Sequence, residues 1–197
     1  DVRPGGRLLA ERHEIGGAAA LDWVEAVTAE LQASANVTML SRTVLFGCYD
    51  GGTYGAVEHL DGPVRQRLWK IVARRAILAT GAVERPLVFA GNDIPGVMTA
   101  SAVQAYANRW GVAAGKRIAV FTTSDSGRSV AADLAAAGIE PVALIDARDD
   151  FHVVRAIGGK DLKAIELSDG RRIACDTLAM AGGWNPAVGL GCNLGAR

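Results

Sequence analysis

Lys116-Arg-Ile-Ala-Val-Phe-Thr-Thr-Ser-Asp-Ser-Gly127 opens the stretch that decides the fold, and Val142-Ala-Leu-Ile-Asp146 closes it. Ile118–Phe121 is a continuous apolar run, the pattern of a strand buried on both faces. A helical pattern starts at Asp125 or Ser126 and runs to Ala137, where Gly138 supplies the residue that favours a helix C-terminus. Val142–Ile145 is a second buried run. A strand, a helix and a second strand in this order predict a βαβ unit with parallel strands and a right-handed crossover.

Outward from this unit the patterns alternate. Ala20, Trp23, Val24, Val27 and Leu31 recur at helical spacing, which predicts a helix from Ala20 to about Ala33. Strands are expected at Val37–Leu40, Thr43–Gly47, Tyr54–Leu60 and Arg67–Ala73, with Asp50-Gly51-Gly52 as turn. Arg75–Thr80 is expected to be a strand buried on both faces. A helix capped by Thr99 should run through Trp110 and end at Gly111, and hairpin strands at Phe151–Ile157, Leu162–Leu167 and Arg171–Ile173 should precede an apolar strand at Thr177–Ala181. Trp23, Trp69 and Trp110 are expected to anchor the core. The fold class is therefore α/β, a three-layer Rossmann-like arrangement with inserted antiparallel hairpins.

Composition narrows the function. The 197 residues carry 21 basic and 21 acidic side chains, so a nucleic-acid surface is not expected. No apolar stretch is long enough to span a membrane, and Cys48, Cys175 and Cys192 show neither a zinc spacing nor a Cys-x-x-Cys pair. The reading is a soluble, cytoplasmic protein with no metal site, and a chain opening at Asp1 without methionine reads as a piece of a longer one. His13, His59 and His152 are scattered, and Ser126 lacks the leading glycine of a nucleophile elbow, so no catalytic residue is assigned.

Glycine is in excess, 24 residues, and its placement is informative. Ala76-Ile-Leu-Ala-Thr-Gly-Ala82 and Leu178-Ala-Met-Ala-Gly-Gly-Trp-Asn-Pro186 are both apolar runs ending in glycine, where a ligand can approach the backbone closely. Within the βαβ unit the three positions of the G-x-G-x-x-G fingerprint are Thr122, Ser124 and Gly127. Only the helix-packing glycine is kept, so the phosphate cradle is degraded although the topology is not. Asp146 stands where an acid would meet a ribose hydroxyl.

Leu78-Ala-Thr-Gly-Ala-Val-Glu-Arg-Pro-Leu-Val-Phe-Ala-Gly-Asn-Asp-Ile-Pro-Gly-Val-Met98 closely resembles the α (large) subunit of bacterial heterotetrameric sarcosine oxidases, within the wider superfamily of two-dinucleotide-domain FAD/NAD-linked proteins. Gly5-Gly-Arg-Leu-Leu9, Arg42-Thr-Val-Leu-Phe-Gly-Cys-Tyr-Asp50, Gly115-Lys-Arg117, Thr122-Thr-Ser-Asp-Ser126 and Gly182-Gly-Trp-Asn-Pro186 carry the same resemblance. It implies a central fragment of that subunit. Residues 1–98 and 175–197 would belong to an incomplete FAD-like domain whose first βαβ unit has no counterpart here. Residues 99–174 would form the NAD-domain-like βαβ unit and a β-meander.

By the same resemblance, Gly5, Gly6, Arg7, Leu45, Thr80, Gly81, Ala82, Ala181, Gly182 and Gly183 would line a dinucleotide site. The complete subunit would carry NAD, with FMN at a subunit interface and FAD on a partner. Smaller oxidase subunits would be its partners, and oxidative demethylation of sarcosine would take place on one of them, leaving the isolated fragment inactive. The alternatives are a subunit of an opine- or cyanide-forming dehydrogenase and a non-catalytic interaction module with vestigial nucleotide sites.

Overall fold

The computed structural model describes residues 2–193. The chain divides into two compact units. Unit 1 takes the chain up to Leu8, Glu14–Ala82 and the segment from Pro186 onward; unit 2 takes Leu9–His13 and Val83–Asn185. The sequence-based boundaries, at 98/99 and 174/175, fall elsewhere, because the strands flanking them join the same parallel sheet as the βαβ unit.

In unit 1 a two-residue ladder pairs β1 (Glu14–Ile15) with β2 (Ala18–Ala19), and α1 (Ala20–Ala33) follows at once. β3 (Thr43–Tyr49), β4 (Thr53–His59) and β5 (Gln66–Val72) form an antiparallel meander, with Val44 opposite Val57 and Val57 opposite Leu68. Three expectations fail in this unit. No strand forms at Val37–Leu40. The apolar run Ala76-Ile-Leu-Ala79 forms no strand and pairs with none among the described residues, and Ile77 is 94% exposed. A strand of that composition is buried only between parallel neighbours, and none stands beside it. Trp23 on α1 is exposed as well, and Trp69 on β5 is half-buried.

Unit 2 begins in β6 (Ala82–Glu84) and is built on a parallel sheet. Its strands are β7 (Val97–Thr99), β8 (Ile118–Thr122) and β9 (Ala143–Asp146), together with a strand from much later in the chain. α2 (Ala100–Trp110) ends on Gly111, which adopts the left-handed conformation, and α3 (Asp125–Ala136) makes the crossover between β8 and β9. β10 (Val153–Gly158), β11 (Leu162–Leu167) and β12 (Arg172–Ala174) form the antiparallel meander. β13 (Thr177–Ala181) then inserts between β7 and β8, parallel to both, and is buried throughout. β14 (Trp184–Pro186) and α4 (Gly189–Asn193) complete the described chain.

Alternation along the parallel strands separates two cores. Ala119, Phe121, Ile145 and Leu178 face the β10–β12 meander, which contributes Leu162, Ile165 and Leu167. Ile118, Val120, Ala179 and Ala181 face α2 and α3, which contribute Val103, Val130 and Leu134. Trp110 belongs to neither: it lies at the exposed end of α2 under the Arg109 guanidinium, 4.8 Å from its ring centre, and so corrects the expectation of a core anchor.

Two polar contacts fasten the helices. The buried Glu84 carboxylate accepts the Ser101 backbone N–H at 2.7 Å and satisfies an orphan donor at the start of α2, a position where Thr99 makes no side-chain cap bond. Asp133 on α3 accepts from Gln104, Asn108 and the Arg12 backbone, which ties Leu9–His13 to the two helices.

Gly127 sets how closely α3 approaches β8. A Cβ at Gly127 would overlap the Thr122 side chain. Gly127→Ala is therefore expected to destabilise unit 2 by roughly 1–3 kcal/mol in denaturant unfolding. Adding Thr122→Ala to that variant should return part of the loss, a coupling that two independent effects would not give.

Candidate dinucleotide sites in the two units

In unit 1 the Thr80-Gly81 turn is tied to the segment after Pro186. The Thr80 hydroxyl donates to the Ala187 carbonyl at 2.5 Å, and the Ala187 N–H donates to the Gly81 carbonyl at 2.9 Å. Leu78, Thr80, Gly81, Pro186, Val188 and Cys192 border a largely apolar cavity of about 480 Å³. A second cavity, of about 380 Å³, is lined by Arg3, Gly5, Gly6, Met39 and Ser41. Ala79 borders both, so the unpaired run 76–80 lies between them. Gly81 has φ 71°, and a Cβ there would meet no atom within 4 Å. Its glycine is required by backbone conformation and faces open space, not a neighbouring chain segment.

Of the other residues assigned from sequence to this unit, Arg7 follows the Gly5-Gly6 pair, Leu45 is half-buried on β3, and Ala82 ends the Glu14–Ala82 segment.

Ala181, Gly182 and Gly183 belong to unit 2. Ala181 is the fully buried end of β13. A Cβ on Gly182 would overlap the Arg85 carbonyl oxygen. That carbonyl accepts the Gly182 N–H at 3.0 Å, the Arg85 N–H donates to the Gly183 carbonyl at 2.8 Å, and Arg85 Nε donates to the Gly182 carbonyl at 3.2 Å. The protein's own backbone is thus sufficient reason for glycine at 182. Gly182→Ala is expected to cost roughly 1–3 kcal/mol of unit 2 stability without any ligand present, measured by denaturant unfolding.

The β8–α3–β9 crossover shows what stands at the positions of the cradle glycines. Thr122 is fully buried; its hydroxyl donates to the Ser124 carbonyl at 2.6 Å and accepts the Ser124 N–H at 3.0 Å. The Ser124 and Ser126 hydroxyls lie 2.8 Å apart across the first turn of α3. Asp146, 2% exposed, is enclosed by arginines that no sequence motif had marked. Its carboxylate accepts from Arg148 Nε at 2.9 Å, Arg148 Nη2 at 2.6 Å, the Arg148 backbone N–H at 3.0 Å and Arg128 Nε at 2.9 Å. Arg148 Nη2 also reaches Asp125 at 2.7 Å, and Arg128 lies 3.8 Å from Asp149.

The Arg148 hydrogen bonds, aided by Arg128, outweigh desolvation and hold the Asp146 carboxyl far below the ordinary carboxylate range. A depressed folded-state value means that the stabilisation is complete above the unfolded value of 3.8 and fades as pH falls towards the folded one. The melting-temperature gap between wild type and Asp146→Asn should accordingly be the same at pH 7 and pH 5. It should narrow only once the pH drops below the ordinary carboxylate value; a gap already shrinking between 7 and 5 would contradict the assignment.

Comparison with known proteins places these observations. No family model matches the chain. Sarcosine oxidase subunit alpha of Rhizobium meliloti (strain 1021) is 46% identical over 98% of this chain. The subunit of the same name from Corynebacterium sp. (strain P-1) is 41% identical over 94%. The chain spans only 22% and 23% of these relatives. Among solved structures, L-proline dehydrogenase from P. horikoshii superposes with a TM-score of 0.81 at 24% identity, over 98% of this chain and 38% of that one. A NAD-dependent persulfide reductase from A. fulgidus gives 0.63 at 14%, over 88% of this chain and 37% of that one. The likeness to these two structures is one of α/β fold. Over nearly its whole length the chain is thus similar to a segment of sarcosine oxidase alpha subunits, about a fifth of their length.

Proposed function

We propose that this chain is the nucleotide-binding portion of a sarcosine-oxidase-type flavin oxidoreductase, with unit 1 forming one side of an FAD-like dinucleotide domain. The observation that carries this reading is the unpaired run 76–80. It is apolar, it ends in Thr80-Gly81, and it lies between two cavities bordered by glycine-bearing turns. An apolar strand with its ladder groups free is complete only when further parallel strands join it. In an open α/β sheet the ligand crevice lies at the carboxyl ends of the strands, which is where Gly81 would stand once the run 76–80 joined such a sheet.

The residues present fit a dinucleotide in part. Gly81 leaves space beside the turn, Gly5-Gly6 offers a compact turn next to Ala79, and Leu78 and Val188 give an apolar wall. NAD is the cofactor proposed for this domain, with FMN at a subunit interface and FAD on a partner; a bound dinucleotide supplies the redox-active ring. The roles of this chain are to hold the dinucleotide through backbone at Thr80-Gly81-Ala82 and Gly5-Gly6-Arg7, with Leu45 behind them, and to exclude water with the apolar wall. Among the described residues, no histidine, carboxylate or lysine lines the cavity beside the Thr80-Gly81 turn. Oxidative demethylation of sarcosine is therefore assigned to a smaller partner subunit, with the assembly in the cytoplasm. No helix among the described residues is long and apolar enough to cross a membrane, and Cys48, Cys175 and Cys192 are all free thiols.

Calorimetric titration of the full-length subunit with NAD, FAD and FMN tests the reading. NAD should bind, and Gly81→Ala should weaken it by about tenfold, equivalent to ~1.4 kcal/mol. Thr122→Val should leave the affinity unchanged. Silence towards all three nucleotides in the full-length protein would refute it.

A further inference from the structure

We propose that the second crossover, β8–α3–β9, is a nucleotide-free joint in which Asp125 and Asp146, bridged by Arg148 and Arg128, stand where a dinucleotide's phosphate and ribose would otherwise be held. The inference concerns unit 2 alone and does not depend on the reading of unit 1.

In a nucleotide-binding crossover, the helix N-terminus offers free N–H groups and a positive dipole end to a phosphate, and an acid at the end of the second strand holds the ribose. Several of those offers are already taken here. The Ser124 N–H is spent on the Thr122 hydroxyl, and the linked Ser124 and Ser126 hydroxyls lie across the first turn of α3. Asp125 places a carboxylate in that first turn, so the helix end has its own anion. Asp146, the ribose-position acid, is buried and saturated by four donors.

Arg148 joins the two carboxylates through one nitrogen, at 2.7 Å to Asp125 and 2.6 Å to Asp146. With Asp149 beside Arg128, three carboxylates face two guanidinium groups. A pyrophosphate would meet no surplus of positive charge. The cluster also does mechanically what a bound nucleotide does elsewhere: it connects α3, through Asp125 and Arg128, to the end of β9 and the turn after it.

Amide-resolved NMR of the chain titrated with NAD, NADP and inorganic pyrophosphate tests this. In the wild type, the amides of Thr122–Gly127 and Asp146–Arg148 should not move at millimolar ligand; saturable movement there would overturn the proposal. In Asp125→Asn/Asp146→Asn the two arginines lose two of the three carboxylates that face them, and only Asp149 remains beside Arg128. Pyrophosphate should then shift the Thr122–Gly127 amides saturably, and no response would equally overturn it. Asp125 is exposed, so Asp125→Asn alone covers the case in which the double variant does not fold. Thermal melts give an independent check: Arg148→Ala should lower the melting temperature, and Asp125→Asn should add nothing in that background. Additive losses would show that the bridge is not a joint.

Discussion

Unit 2 depends on the parallel ladder that β13 makes with β7 on one side and β8 on the other. Thr177 to Ala181 arrive from near the end of the chain, and all five residues are buried. Leu178 projects into the core shared with the meander, whereas Ala179 and Ala181 project into the core beneath α2 and α3. A strand whose two faces belong to two cores cannot slip by one residue without exchanging their contents, Leu for Ala, on both sides at once. The register Leu178 beside Ala119 and Met180 beside Phe121 therefore fixes both layers. Small residues on the helix side let α2 and α3 lie close to the sheet, and Gly127 continues the same constraint at the mouth of the crossover.

Unit 1 shows the opposite case, in which the residues are those of a buried element and the burial is missing. Ile77 in the run 76–80, Trp23 on α1, and Val44, Leu68 and Val72 on the meander are all exposed. Each is an ordinary interior residue type, and together they leave apolar surface of unit 1 uncovered. Area of this kind contributes stability only when another surface covers it. Unit 2, by comparison, holds both buried clusters.

The contrast explains which parts of the fold were legible in the sequence. β8, α3, β9 and β13 were located to within a residue or two, because a continuous apolar run and a terminal glycine are properties of the segment itself. The run 76–80 gave the same signal and the wrong burial, since periodicity reports what a segment is suited to and not whether a partner is present. Trp110 failed for a related reason: at the last residue of α2 a large ring can lie under Arg109 and never reach the core. β7 went unseen because three residues after Pro95-Gly96 are too few to show a period.

At the candidate sites the same limit applies to the glycines. Gly182 and Gly81 follow apolar runs alike, and the sequence gives no way to separate them. In three dimensions the space beside Gly182 is filled by the Arg85 carbonyl, while Gly81 combines a positive φ with empty space. A glycine whose missing side chain is replaced by the protein's own backbone is explained by folding; one that leaves room unfilled calls for something outside the segment. Thr122 and Ser124 were readable as a lost cradle, but what fills it was not. The available signal was Arg148 two residues beyond a strand-end Asp, with Arg128 one position after the packing glycine. The ribose-position acid thus survives in the sequence for a different physical reason: with two guanidinium groups against it, Asp146 serves as the internal counter-ion of the crossover and not as a hydrogen-bond acceptor for a ligand.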